Sequence, residues 1–479
     1  MQRMIPALLL IIGIASGGPA SVGRGEFRAG AATSNITPPL GGDVVGGFVP
    51  FPATHIHDEL HARCLVLDDG QTKLAFVVCD LLGLHRSVSD AAREAIGEKL
   101  SIPKENVLIS GTHTHSAVSV LGSSRYAVAQ ELDDYQRFVV SRIVDGVARA
   151  VNLLRPAEIG FGVVEIPEHL FNRRWFMAES YVAKSPYGDI DRVKMNPPGG
   201  SPELVKPAGP TDPQLSFLVA RERNEAGSGA LIGLFAAYSL HYVGGVGSGH
   251  VSADYFGMFC DELVRLQGAD PAATPLVPML ANGTSGDVNN INFREPRPAK
   301  KSYEQMRFVA NDVAAKVHRA IPDVTYRHDI KLDAVYREPT VKWRLPSPAL
   351  LAWAKEKVAE PETPSNRADL PRIYAGRAIA MNEHPAETVV PVQALRVGDV
   401  WVGTMPFEIF TEIGLEFKRR VGPGKGFMVS LAHGYFGYLP TPSQHALGGY
   451  ETWLGTNRVQ PETSDILLDE LESMIRSRP

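Results

Sequence analysis

The sequence predicts an α/β fold, built on a mixed, largely parallel sheet with helices on both faces. Two observations lead to this prediction. Short apolar runs alternate along the chain with longer segments of helical periodicity, which is typical of strands joined by crossover helices. Several of the runs end directly in histidine, acidic or tyrosine residues. In open α/β sheets the ligand site lies beyond the carboxyl ends of the strands, so these side chains are expected to meet there.

The elements in the first half of the chain follow from two patterns. Continuous apolar runs are assigned to buried strands, and apolar residues three and four apart are assigned to amphipathic helices. The predicted strands are Cys64–Leu67, Leu74–Cys79, Val107–Ile109, Ile159–Ile166, Leu215–Ala220 and Ala230–Ser239. The predicted helices are Ser89–Leu100, Tyr135–Leu154, and a helix that begins at the Ser252-Ala-Asp254 cap and runs to about Leu266.

The same two patterns continue in the second half of the chain. The predicted strands are Pro275–Leu280, Val324–Val335, Val400–Met405 and Phe427–Leu431. The predicted helices are Tyr303–Ala320, Leu350–Val358, Arg367–Met381, Thr463–Arg476, and one that follows Glu408 and ends near Arg420. Alternation of this kind indicates a sheet that is covered on both faces.

The composition describes a globular protein and argues against a nucleic-acid partner. Hydrophobic residues make up 44% of the 479-residue chain and charged residues 21%, the net charge is −5, and no basic run occurs. Three cysteines do not form a disulfide framework. Cys64 and Cys79 flank the Asp69-Gly70 turn, and the register of that turn decides whether they can pair.

The N-terminus has the three-part pattern of a secretory signal peptide. Arg3 precedes the apolar run Ile5–Ile14, and small residues follow. The run is short for a membrane span, although an uncleaved anchor is the alternative. We therefore predict a signal peptide at residues 1–25, a single catalytic domain at residues 26–479, and a secreted or periplasmic location.

The polar strand ends predict a metal site. His113 and His115 lie two residues apart after one strand, and period-two alternation would place both imidazoles on one side of the chain. Other strands end at or near His241, Asp287, Glu408 and Tyr438. Each of these residues alone is more typical of a core position or a helix terminus. Together they indicate a site for a divalent metal ion, with zinc the best match to histidine and carboxylate ligands.

Several short motifs also carry a resemblance to a known family. They are Ile36-Thr-Pro-Pro, Ser110-Gly-Thr-His-Thr-His-Ser, Phe171-Asn-Arg, Asp212-Pro, Gly286-Asp-Val, Pro406-x-Glu408 and Tyr435-x-x-Tyr438. In this order they resemble the neutral/alkaline non-lysosomal ceramidase family over about residues 30 to 460. That span corresponds to the family's catalytic domain, without the C-terminal immunoglobulin-like domain that family members usually append.

The resemblance implies a ligand set and a substrate. The family uses one zinc ion to hydrolyse the amide of N-acylsphingosine. The matching metal ligands here are His113, His241, Glu408 and Tyr438, the matching catalytic residues are His115, Arg173 and Tyr450, and the matching substrate contact is Gly47. Where the family commonly reads Gly-Asp-Val-Ser-Pro-Asn, this chain has Asn289, so a serine nucleophile is absent there. We expect the Asn289 amide to hydrogen-bond at the site instead.

These observations lead to one functional hypothesis and two alternatives. We expect an exported hydrolase with one Zn²⁺ per chain that cleaves the amide of an N-acylated lipid with activated water and contacts a membrane surface transiently. The first alternative is an esterase or deacylase that acts on another acyl substrate, such as an acylated sugar. A lipid requires an apolar groove, whereas an acylated sugar requires a polar cleft rimmed by aromatic rings. The second alternative is a binding protein that retains the pocket without turnover.

Overall fold

A computed structural model describes residues 26–122, 126–127, 129–224, 229–269, 276–361 and 368–478. The predicted signal peptide lies outside the described residues, as does Arg367 at the start of one predicted helix.

A nine-stranded sheet forms the centre of the fold. Its principal strands are β1 (Arg28–Asn35), β2 (His61–Asp68), β3 (Lys73–Cys79), β4 (Val107–Gly111), β5 (Arg155–Glu165), β6 (Gln214–Glu222), β7 (Leu231–Tyr238) and β8 (Val277–Asn282). They are ordered β8-β7-β6-β5-β1-β2-β3-β4, and the short strand Tyr326–Arg327 also pairs with β5. Apart from β5, several of whose residues are partly or fully exposed, their apolar runs are buried on both faces, as the sequence predicts.

The α/β class and the mixed sheet are confirmed, but fewer strand pairs are parallel than expected. In this sheet β3–β4 and β7–β8 are parallel, and the other pairs are antiparallel. Antiparallel strands can be joined by tight turns, whereas parallel strands need a crossover of about a dozen residues or more. β2 and β3 are joined through Asp69-Gly70, where Gly70 has φ +84°. The prediction of a largely parallel sheet therefore assigned too few antiparallel strand pairs, because it missed connections of the hairpin type.

The register of that hairpin also answers the question about the cysteines. Cys64 lies opposite Val77, and Cys79 lies opposite Ala62, so the two thiols are not directly opposed across the strands. Both are buried and unpaired. They act as small apolar core residues.

Helices cover one face of the large sheet. They are α1 (Arg86–Leu100), α2 (Asp134–Asn152), α3 (Asp254–Gln267) and α4 (Glu304–Ala320). Val77 of β3 packs in the same apolar cluster as Ile143 of α2. The next residue back, Phe76, points to the opposite face and packs in a cluster with Phe427. The opposite face is therefore covered by other strands.

Those strands form a second, four-stranded sheet. It is ordered β9 (Leu332–Arg337), β10 (Val392–Val397), β11 (Val400–Thr404) and β12 (Gly426–Val429), with β11 and β12 parallel. Its outer side carries further helices, which are α5 (Pro348–Ala359), α6 (Leu370–Asn382), α7 (Thr411–Val421) and α9 (Thr463–Arg476). The short α8 (Pro442–His445) instead contacts Arg174 and Glu412 through Gln444. The prediction of helices on both faces of one sheet is thus corrected to four layers, α/β/β/α. An apolar strand does not reveal whether a helix or a second sheet covers it.

Short ladders and turns complete the structure. The paired segments are Asp43–Val44 with Phe51–Pro52, His55–Ile56 with His250–Val251, Phe171–Asn172 with Val288–Asn289, Arg174–Met177 with Val193–Met195 and Leu204–Pro207, Thr340–Lys342 with Glu387–Val389, and Glu408–Ile409 with Tyr438–Leu439. Single 3₁₀ turns span Lys104–Asn106, Ile321–Asp323 and Tyr450–Thr452. None of the helices in the described part of the chain combines the length and apolar character that crossing a bilayer requires.

Candidate metal centre and active site

The two histidines of the His-x-His motif converge, although not by the expected backbone geometry. His113 has φ +74°, a left-handed conformation that is uncommon outside glycine and often occurs at functional sites. Backbone bonds from Thr112 to the Cys79 carbonyl and from His113 to the Leu81 carbonyl hold the turn beyond β4. The Nε2 atoms of His113 and His115 lie 3.1 Å apart. A tight turn, rather than an extended strand, therefore brings the two imidazoles together.

His241, just beyond β7, completes a cluster of three imidazoles. Ligand nitrogens of His113, His115 and His241 all lie within 4.8 Å of one another. His113 donates from Nδ1 to the Leu82 carbonyl at 2.7 Å, and His241 donates from Nδ1 to the Ser285 carbonyl at 3.1 Å. Because these bonds fix the protons on Nδ1, the Nε2 atoms of both rings carry lone pairs that point into the cluster.

Glu408 and Tyr438 reach the cluster together. They are paired residues in a two-residue parallel ladder, so one local structure delivers both side chains. Glu408 Oε2 lies 3.2 Å from His113 Nε2 and 3.6 Å from His241 Nε2. The other oxygen, Oε1, accepts a hydrogen bond from the Tyr435 hydroxyl at 2.8 Å.

The electrostatics of the cluster suit a bound cation. Burial lowers the pKa of His115 and His241 well below the usual range, which keeps both rings neutral. Burial alone would raise the pKa of Glu408, but the neighbouring His113, Tyr438 and Arg173 outweigh it and bring the pKa to about 2. The site therefore presents the neutral imidazoles of His115 and His241 beside a charged carboxylate, which are protonation states that metal ligation requires.

Two buried atoms with lone pairs that could bind a metal ion take no part in the hydrogen bonds around the cluster. His241 Nε2 and Glu408 Oε2 are buried without a hydrogen-bond partner in the described structure. Two imidazole lone pairs and a carboxylate oxygen facing one another at 3.2 to 3.6 Å would be unfavourable without a positive charge between them. Nitrogen and oxygen ligands in this number fit a divalent transition metal such as zinc.

Arg173 lies behind Tyr438. Its Nη2 donates to the Tyr438 hydroxyl at 3.0 Å and to the Gly286 carbonyl at 2.7 Å, and its Nε lies 3.3 Å from Glu451 Oε1. Burial raises the pKa of the Tyr438 phenol, while the charge of Arg173 opposes that rise. Arg173 therefore acts on the centre through Tyr438.

Asp287 anchors two segments near the site. Its Oδ2 accepts from Asn172 Nδ2 at 2.7 Å, and its Oδ1 accepts from the backbone and hydroxyl of Thr411 at 2.9 Å. Its carbonyl also accepts from the Arg173 backbone at 2.8 Å. Burial raises the pKa of Asp287 to about 6. This strand-end residue therefore holds the Arg173 segment and the start of α7 in place.

A cavity of about 90 Å³ opens onto the cluster. Its lining includes six of the residues selected from the sequence, namely Gly47, His113, His115, Glu408, Tyr438 and Tyr450. Burial raises the pKa of the Tyr450 phenol to about 12, so this side chain keeps its proton. Three other selected residues, His241, Arg173 and Asn289, are not part of the described lining.

Asn289 is engaged elsewhere. Its Nδ2 donates to Asn196 Oδ1 at 3.0 Å, and its Oδ1 accepts from the Ile291 backbone at 2.9 Å. The residue pairs with Phe171 in a short antiparallel ladder. Both ends of the amide thus serve the local fold, and this placement does not favour the predicted substrate contact.

The structure adds residues that the sequence reasoning did not select. Tyr435 binds Glu408, and the Tyr435-x-x-Tyr438 spacing was a usable signal. Arg377 comes from α6, far from any recognised motif, and lines the cavity. Tyr242 stacks on His115, with ring centroids 3.7 Å apart.

Comparison with known proteins places this site in a family context. The sequence profile described as "Neutral/alkaline non-lysosomal ceramidase, N-terminal" matches residues 27–292, which is more than half of the chain. The fold is similar to that of a ceramidase complexed with C2, with 18% identity, a TM-score of 0.69, and coverage of 95% of this chain and 76% of the other. It is also similar to a neutral ceramidase from Pseudomonas aeruginosa, with 19% identity, a TM-score of 0.67, and coverage of 95% and 75%. At these identities the structural likeness establishes the fold.

Proposed function

Because the chain belongs to the neutral/alkaline non-lysosomal ceramidase family, we propose that it is a zinc-dependent amidohydrolase that cleaves the amide of an N-acylated lipid. Family membership supports a ceramidase-like hydrolase, and we infer the zinc ion and the lipid amide from the residues of the site. The observation that carries it is the convergence of three imidazoles and the Glu408 carboxylate, with unused buried lone pairs, on one cavity.

The proposed ligands are His113, His241, Glu408 and Tyr438. The first two are oriented by their Nδ1 bonds to carbonyl groups. Glu408 is kept ionised by His113, Tyr438 and Arg173, and a hydrogen bond from Tyr435 aligns it. Orientation of this kind by outer hydrogen bonds is usual for ligating histidines and carboxylates. When bound, a zinc ion supplies the Lewis acidity that makes water nucleophilic near neutral pH.

His115 is proposed as the general base. It is neutral, it stacks on Tyr242, and a hydrogen bond to the Gly46 backbone helps to fix its ring. A neutral imidazole in a fixed orientation can take a proton from the attacking water and return it to the leaving amine. Water then adds across the amide bond to give a fatty acid and a free amine.

Tyr450 is proposed to stabilise the developing oxyanion. It lines the cavity and retains its phenolic proton, so its hydroxyl can donate to the carbonyl oxygen as negative charge accumulates there. The backbone of Gly47, at the cavity wall, is the proposed substrate contact. Arg173 is proposed to support this set by holding Tyr438.

The rim of the cavity supports a lipid substrate. Phe48 lines the cavity, and the same segment exposes Leu40, Val49 and Phe51 with 56%, 64% and 38% of their surfaces accessible. Exposed apolar side chains on a segment that contributes to the cavity wall are suited to contact with an acyl chain or a membrane surface. Transient membrane contact is therefore part of the proposal. Export by the signal peptide that the N-terminal sequence predicts is a separate part of it.

One observation favours a second candidate function. The cavity is small, and Tyr435, Tyr438, Tyr450 and Arg377 give it a polar lining with aromatic rings. This is the lining expected for a polar acyl substrate, so deacylation of an acylated sugar or a related ester is the alternative.

Metal analysis combined with an acyl-hydrolysis panel tests the proposal. The chain beginning at residue 26 is assayed on N-acylsphingosine, on acylated sugars and on simple esters with the same acyl chain, before chelation, after chelation and after zinc is restored. We expect one zinc per chain and hydrolysis of N-acylsphingosine that is lost and regained with zinc. Faster turnover of acylated sugars supports the alternative, and zinc-loaded protein that binds N-acylsphingosine without cleaving it indicates a binding protein.

A further inference from the structure

An arginine with no acidic partner among the described residues lines the same cavity as the histidines. Arg377 of α6 is half-buried, and its Nη1 donates to the Thr456 hydroxyl at 3.0 Å. Among the described residues no carboxylate forms an ion pair with it, and the groups that act on its charge are phenols. A guanidinium that lines a cavity and has no anionic partner among the described residues is free to pair with an anionic ligand, which points to an external partner.

The local fold holds this side chain in place. Gly455 has φ +89°, and a Cβ there would lie 2.8 Å from the Arg377 Cβ, so the arginine stem rests directly on the turn. Its guanidinium carbon lies 4.5 Å from the Tyr374 ring centroid and 5.5 Å from that of Phe48. The planar group is thus oriented before any ligand arrives, which reduces the entropy lost on binding.

The charges of the cavity leave Arg377 uncompensated. Burial lowers its pKa, but the phenols around it, led by Tyr126 and Tyr374, raise the pKa above its usual value, so the group stays protonated. The cavity lining contains one described carboxylate, that of Glu408, which is already bound by Tyr435 and faces His113. A divalent ion at the histidines would make the cavity still more positive.

We propose that Arg377 binds an oxyanion on the substrate, a carboxylate or a phosphate, so that N-acyl compounds that carry such a group are cleaved faster than neutral ones, N-acylsphingosine included. The inference rests on the proposed amidohydrolase function and deepens it by assigning the substrate class. A guanidinium can bind a carboxylate or phosphate through two parallel hydrogen bonds, which gives directional preference as well as charge. The apolar rim takes the acyl chain, and Arg377 takes the charged group.

The test compares substrates that share one acyl chain. N-dodecanoylglycine carries a carboxylate where N-dodecanoylethanolamine carries a neutral alcohol, and the O-phosphate of the latter provides a second anion. The ratio of kcat/KM between anionic and neutral amides is measured for the wild type, Arg377→Gln, Arg377→Lys and Arg372→Gln. The last variant makes the same change elsewhere on α6, where the side chain donates to the Glu360 carbonyl. Zinc content and urea unfolding check the integrity of each variant.

We expect the wild type to prefer an anionic amide. Arg377→Gln should lower the ratio about 10- to 100-fold, the usual effect of losing a charge-assisted hydrogen bond, and Arg377→Lys should restore part of it. Arg372→Gln should leave the ratio unchanged. The carboxylate and phosphate arms show which oxyanion is selected.

Two results would overturn the inference. One is a wild-type preference for the neutral amide, and the other is an equal loss on all three substrates in Arg377→Gln. If the wild type cleaves no amide at all, the proposed function fails, and calorimetric binding of N-dodecanoylglycine then decides about Arg377. Weaker binding to Arg377→Gln than to the wild type supports the anion site, and equal binding refutes it.

Discussion

A single methyl group at Gly46 should disturb His115 selectively. A Cβ at this position would lie 2.4 Å from the His115 carbonyl oxygen and 2.5 Å from the His115 Cβ. Neither atom belongs to the flexible end of a side chain, so the clash cannot be relieved by a rotamer change. The backbone that carries His115, or the segment that carries Gly46, has to move.

The size of the effect follows from these distances. The shorter contact is about 1 Å below the 3.4 Å at which ordinary van der Waals contact begins. Inserting a methyl group into a packed site typically costs about 1–3 kcal/mol of stability, and we place Gly46→Ala near the upper end because backbone atoms are involved. A displacement of about 1 Å in a catalytic group can lower turnover roughly 10²-fold.

The neighbouring glycine provides a matched comparison. A Cβ at Gly47 would meet no atom within 4 Å, although the residue lines the same cavity. We measure kcat/KM on the best acyl substrate, zinc content and urea unfolding for Gly46→Ala and Gly47→Ala. Gly46→Ala should lose activity roughly 10²-fold while it keeps zinc, and the loss in Gly47→Ala should be at least about tenfold smaller. Equal activity in the two variants would refute the view that Gly46 supports His115.

Four further predictions concern other residues of the structure. His113→Ala and His241→Ala should each lose zinc together with activity, and full zinc occupancy by elemental analysis in either variant would contradict the ligand assignment. Arg173→Ala should keep zinc but lower kcat roughly 10²-fold, whereas unchanged kinetics would indicate a purely structural ion pair. Ser285→Ala should retain most activity. The variant loses the hydroxyl, which lies 3.3 Å from His241 Nδ1, but keeps the backbone carbonyl that binds the same nitrogen. An acyl adduct on Ser285 in mass spectra of the wild type would overturn this prediction. Burial raises the pKa of Asp58 to about 6, so the folded state binds more protons than the unfolded state between pH ~4 and ~6, and the stability that this group contributes is lost as pH rises through that window. Asp58→Asn should remove up to about 1.4 kcal/mol per pH unit of that decline in urea titrations. Parallel profiles of stability against pH for the variant and the wild type would count against it.

The sequence predicted the α/β class and the convergence of several polar strand ends, for identifiable reasons. The apolar runs of β3 and β4 are long enough to identify buried strands, and the polar residues just beyond β4 and β7 do meet, as strand-end logic requires. Whether neighbouring strands pair in parallel or antiparallel was harder to predict from the sequence, because it depends on whether the connection is a hairpin or a crossover. The second sheet was also missed as a layer, since its strands look the same as strands covered by helices.

The site residues that were missed have a different cause. Arg377 reaches the cavity from α6, a helix whose residues carry no motif, and only tertiary packing reveals the contact. Asn289 shows the opposite case, because its position in a motif suggested a role while its amide is bound to Asn196 and Ile291. A sequence motif therefore predicts that a residue lies near the site. The hydrogen bonds in the structure are needed to tell which side chains face the cavity.

The buried polar bonds explain why segments far apart in sequence arrive at one point. Gly286 presses against the backbone at Glu408, where a Cβ would lie 2.6 Å from the Glu408 carbonyl oxygen, and its own carbonyl accepts from Arg173. Arg173 then reaches Tyr438 on one side and Glu451, the neighbour of Tyr450, on the other. A buried arginine and glutamate would be unfavourable as single charges, so each stabilises the position of the other. The ladder that carries Glu408 and Tyr438 is only two residues long. Such a short ladder cannot fix the geometry of the candidate metal centre by its own backbone bonds. We infer that the Arg173 network positions Tyr438, while the Nδ1 bonds of His113 and His241 hold the other side of the centre independently.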